Sequence, residues 1–130
     1  MAVDERPALQ TEFKFTLPRG YVDREGRAHR EGVMRLATAR DEIFTQGDQR
    51  VKENPAYLTV LLLTRTVTKL GGLYEVDSYT IENLFASDLA FLQDMYRRIN
   101  AEGTTRVAVA CPSCQHEFAV DVAGDASGGS

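Results

Sequence analysis

No stretch of this sequence approaches the roughly 18–20 consecutive apolar residues that a membrane span needs; the run Val60–Leu63 covers four. Cysteine occurs twice and histidine twice in 130 residues, so a disulfide framework is excluded. The catalytic signatures of common enzymes are missing as well: there is no P-loop, GxGxxG, GxSxG or HExxH. Positive charge is in deficit, with 15 Lys and Arg against 19 Asp and Glu and a net charge of −4. A dominant phosphate-binding surface does not fit that balance. The opening MAVDERPALQ carries acidic residues and no apolar h-region, so it does not read as a secretory signal, and a cytosolic setting is expected.

What is present suits one small globular domain, 43% hydrophobic and 26% charged. Two helical patterns dominate. The first spans Pro55 to Leu70 (PAYLTVLLLTRTVTKL), with Gly71 and Gly72 after it, and Pro55 suits a first helical turn. The second spans Thr80 to Asn100. Its apolar residues Ile81, Leu84, Phe85, Leu89, Leu92, Met95 and Ile99 recur at steps that form one buried stripe. Glu82, Asp88, Gln93, Asp94, Arg97 and Arg98 are assigned to a solvated face. Asp77 or Ser78 supplies its N-cap, and Gly103 its stop. An antiparallel pair of long helices is therefore expected. Val60–Leu63 makes the first apolar on more than one face, either because it is sandwiched or because one face binds a partner. Tyr57, Leu61, Phe91 and Tyr96 are the candidate partner-binding positions, since aromatic anchors tend to dominate interfaces.

Before the helices, Phe13, Phe15 and Leu17 alternate with Glu12, Lys14 and Thr16, a half-buried strand. Pro18-Arg19-Gly20 interrupts it, Tyr21-Val22 resume it, and Asp23 to Gly26 turns it into a return strand reaching Leu36. The charged hairpin tip, His29 included, reads as solvated surface, with a partner-binding finger as the functional alternative. Thr38 to Asp41 has capping-box spacing and opens a short helix.

After Gly103 the composition changes. Arg106–Ala110 and His116–Val122 are strand-like and flank Cys111-Pro-Ser-Cys114, a hairpin with both thiols at its tip. A CPxC turn converges two sulfurs on one metal, half of a zinc ribbon, but zinc wants four ligands and a second CxxC is absent. His116 is a third candidate ligand. Two chains sharing one zinc, or a ligand from a partner protein, would complete the set; a residual knuckle without metal is the alternative. Redox activity fits less well, because thioredoxin-type sites place CxxC at a helix start. Glu117, Asp121 and Asp125 surround the tip against Arg106 alone, so nucleic-acid binding is not expected to be strong. The expected organisation is a flexible segment 1–11, an α+β domain 12–103, the CPSC hairpin 104–123 and a disordered Gly/Ser-rich tail 124–130.

The order of these segments resembles a known group. FKFTLPRGYVDREGRAHREGVMRLATARDEI resembles the opening of tail-assembly chaperones of contractile-tailed phages and phage-derived contractile injection systems. NPAYLTVLLLTRTVTKLGGL followed by IENLFASDLAFLQDMYRRIN is similar to their helical body, and CPSCQHEF resembles the zinc-ribbon-like tail of the baseplate hub assembly branch. Gln115 stands where such a knuckle often has glycine. The resemblance implies a non-enzymatic assembly factor in the bacterial cytoplasm that binds hub, tube-initiator or tape-measure proteins. A structural baseplate subunit and a small zinc-ribbon nucleic-acid-binding regulator are the alternatives.

Overall fold

The computed structural model of the protein describes residues 10–103 and 105–123; residues 1–9 of the expected flexible start 1–11, and the expected tail 124–130, lie outside them. Strands β1 (Glu12–Val22) and β2 (Ala28–Arg35) form the expected antiparallel hairpin. Phe13, Phe15 and Leu17 are buried on one face, as their alternation requires. The register slips between Thr16 and Tyr21, where Pro18 removes a donor and Gly20 takes φ +106°. Helix α1 (Ala39–Gln46) starts with the capping box that Thr38 and Asp41 spell out. Its interior is polar: Asp41 and Thr45 are buried, whereas Ile43 and Phe44 are exposed. A short α2 (Gln49–Glu53) follows.

The expected pair of long helices is not what forms. α3 covers Tyr57–Thr66, and the chain then turns extended at Val67 to make β3 (Val67–Leu70). β3 joins the hairpin on the far side of β2, giving the order β1-β2-β3 with Gly32 opposite Leu70. The β-branched run Thr66-Val67-Thr68 suits a strand, and pairing with β2 decides the matter. Gly32 makes the close approach possible. A Cβ there would stand 2.4 Å from the Lys69 carbonyl oxygen and 2.6 Å from the Phe15 ring.

The second helix is divided as well. α4 (Ser78–Glu82) is capped by Asp77, whose carboxylate accepts from the Thr80 amide. α5 (Ala86–Glu102) restarts after Phe85 in extended conformation and ends on Gly103 at φ +76°. α5 lies over β1, where the Phe15 and Phe91 rings sit 6.4 Å apart, and buries Leu92, Met95 and Ile99 as expected. Phe85, expected in the buried stripe, is exposed.

Asp88 overturns its assignment to the wet face: it is fully buried. Its two carboxylate oxygens accept the amides of Arg19 and Gly20, each at 2.9 Å. The bulge in β1 has turned those donors away from β2, and the carboxylate at the start of α5 takes them up. Replacing Asp88 by Ala strands two amides, one of them in a buried contact, and should cost about 2–4 kcal/mol in chemical denaturation. Asp94→Ala, which removes only pairs with Arg97 and Arg98 on the helix surface, should cost less than about 1 kcal/mol.

Candidate functional site

The C-terminal ribbon is built from β4 (Arg106–Ala110) and β5 (Glu117–Asp121), paired in register with Val109 opposite Phe118. Its base is tied to the body. The Ala123 carbonyl accepts the Thr16 amide at 3.0 Å, and Asp121 accepts from the Thr105 hydroxyl and the Ala123 amide. Beyond that base all of β5 is exposed.

At the tip the Cys111 amide donates to the His116 carbonyl and the Gln115 amide to the Cys111 carbonyl, both at 2.8 Å. Closing this turn puts Gln115 at φ +64°, the conformation for which glycine is favoured. The amides of Cys114 and Ser113, and then the Cys114 thiol, approach the Cys111 sulfur and hold its thiol below its usual value. Both thiols are free. This arrangement fits two ligands of a thiolate metal site. His116 does not join them: its ring stacks on Phe118, 6.2 Å away, and among the described residues no three His, Cys, Asp or Glu side chains form a metal-binding group.

The four partner-binding candidates are more enclosed than expected. Leu61 is buried at 7% exposure, and Phe91 packs against the core beside Phe15. The Tyr57 hydroxyl donates to Glu82, with the Arg50 guanidinium 5.3 Å over the ring. Tyr96 donates to Glu42 at 3.3 Å, and burial with that carboxylate nearby pushes its pKa up to about 12. Tyr96 borders a groove of about 320 Å³ between α3 and α5 that Leu62 and Arg97 also line.

The large exposed apolar side chains lie elsewhere. Ile43 and Phe44 stand on α1, and Val109, Phe118 and Val120 on the ribbon. Tyr79 and Phe85 flank a cleft of about 220 Å³ at the hairpin tip, with Tyr21, Val22 and Arg24. No sequence signal marked Ile43 and Phe44 as exposed, because their exposure follows from the burial of Asp41 and Thr45 in α1. Phe85 carried none, because its exposure follows from the helix break.

The groups best suited to acid–base work are held by structural partners. His29, read as a surface residue, has a side chain only 12% exposed. Its Nδ1 accepts the Gly72 amide at 3.1 Å, so in the neutral ring Nε2 carries the proton and donates to Asp23 at 2.8 Å. Asp41 receives Arg35 at 2.7 and 3.0 Å and Arg65 at 2.8 Å. These guanidinium contacts, Arg35 first, hold its carboxyl well below the usual carboxylate range against the opposing effect of burial.

Neither a protein-family model, nor a curated protein, nor a solved structure matches the chain.

Because the Asp41 pKa is depressed on folding, its ionic contribution is complete above the unfolded value near pH 4 and declines as pH falls toward the folded one. Asp41→Asn should cost about 3 kcal/mol at pH 7, and the gap to the unsubstituted protein should narrow below about pH 4 in denaturant titrations. At the ribbon tip, Gln115→Gly should relieve the left-handed backbone and stabilise the turn by about 0.5–1 kcal/mol, seen as slower amide exchange at Cys111.

Proposed function

We propose that this chain is a non-enzymatic assembly factor that binds protein components of a phage-like contractile tail or injection system: the hub, tube-initiator or tape-measure proteins. The resemblance of its sequence segments to those of tail-assembly chaperones supports the class. One observation carries the binding role: large apolar side chains stand open on α1 and at the hairpin tip, while the buried carboxylates are committed to arginines and backbone amides. A protein partner would cover these side chains through contact area.

Co-expression with hub, tube-initiator and tape-measure proteins of contractile tails tests the reading. At least one of them should stay soluble and co-elute. Ile43→Ser with Phe44→Ser, or Tyr79→Ser with Phe85→Ser, should weaken that complex about tenfold while leaving the fold intact. Failure to bind any of them would sink the proposal. Stoichiometric recovery from finished particles would instead favour a baseplate subunit, and retention of DNA or RNA that falls steeply with salt would favour the regulator.

A further inference from the structure

The β4–β5 ribbon has two unlike faces. Strand alternation places Val109 on the same face as Phe118 and Val120, because Val109 is paired with Phe118; Cys111 and His116 stand one residue beyond the strand ends, where the Cys111 amide donates to the His116 carbonyl and the His116 ring stacks on Phe118. Glu117, Ala119 and Asp121 fall on the opposite face, so the acidic residues of β5 are absent from the first. Val109, Phe118 and Val120 are 36–46% exposed. A two-stranded ribbon is marginal in water unless one face is covered or its tip is fixed. At the tip two thiols sit on a closed turn that lacks a third ligand among the described residues.

We propose that the CPSC turn is half of a tetrathiolate zinc site completed by Cys111 and Cys114 of a second copy of this chain, with the apolar faces of the two ribbons packed against each other. Two-fold pairing accounts for both features. An isologous contact places each half-site against its equivalent, so two sulfurs per chain become the four that tetrahedral zinc requires. The same contact covers Val109, Phe118 and Val120 with their own counterparts and leaves Glu117 and Asp121 outside, where their like charges need not be desolvated. Soft thiolates select zinc over magnesium or calcium. The metal binds as thiolates form, so each site releases protons from its cysteines on loading. His116 remains stacked on Phe118 as part of the packed face. The proposal does not depend on the assembly role and can fail or hold independently of it.

The test uses the full chain under reducing conditions, with zinc counted by elemental analysis and mass read by light scattering. One zinc per two chains is expected, in a particle of twice the 14.4 kDa chain mass that reverts to the monomer on chelation. Cys111→Ser and Cys114→Ser should each abolish zinc retention and the dimer while helical circular dichroism is unchanged. Phe118→Ser should keep both thiols but weaken self-association by about tenfold or more. A monomer holding one zinc, a chain that retains none when supplied with the metal, or a dimer that survives both chelation and loss of Cys111 would each overturn the proposal.

Discussion

Two backbone amides in a broken strand set the arrangement of this molecule. β1 cannot continue its ladder through Pro18, Arg19 and Gly20, and the donors that the bulge turns outward need an acceptor inside the protein. Asp88 is that acceptor, and it sits in the first turn of α5, where the helix dipole also favours a negative charge. Binding the bulge to the helix start fixes where α5 crosses β1. The contact between Phe15 and Phe91 and the burial of Leu92, Met95 and Ile99 are consistent with that placement.

A second buried carboxylate organises the other side. Asp41 closes the capping box of α1, pairs with Arg35 at the end of β2 and reaches Arg65 in α3, so one side chain joins three elements. With its acid turned inward, α1 presents Ile43 and Phe44 to solvent, and the Arg65 guanidinium lies 5.3 Å over the Phe44 ring. Both buried carboxylates are thus committed to joining elements, while several large apolar side chains stand exposed outside the apolar core. Those exposed side chains are what the proposed binding role rests on. The ribbon has its acidic face and its apolar face on opposite sides.

Local chemistry made the hairpin, the capping box, the Asp77 cap, the Gly103 stop and the CPSC turn legible, because each depends on residues within a few positions of one another. The helices were legible in type but not in extent. Val67–Leu70 satisfies a helical period and a strand equally well, and only the unpaired edge of β2 distinguishes them. Asp88 was misassigned by its charge, although it lies four residues before Leu92 and seven before Met95, within the buried stripe. Its position on the apolar face was the available signal, and the missing information was the partner 68 residues away.

The amino-acid order alone therefore determined the short-range elements and the chemistry at the ribbon tip: where strands turn, where helices are capped, and that two thiols share one turn. Tertiary structure decided which carboxylates are buried, where the long helical patterns break and which aromatic side chains remain exposed. Those outcomes depend on amides and strand edges far away in the chain. A buried charge or an extended segment is stable only when a distant group completes its hydrogen bonds.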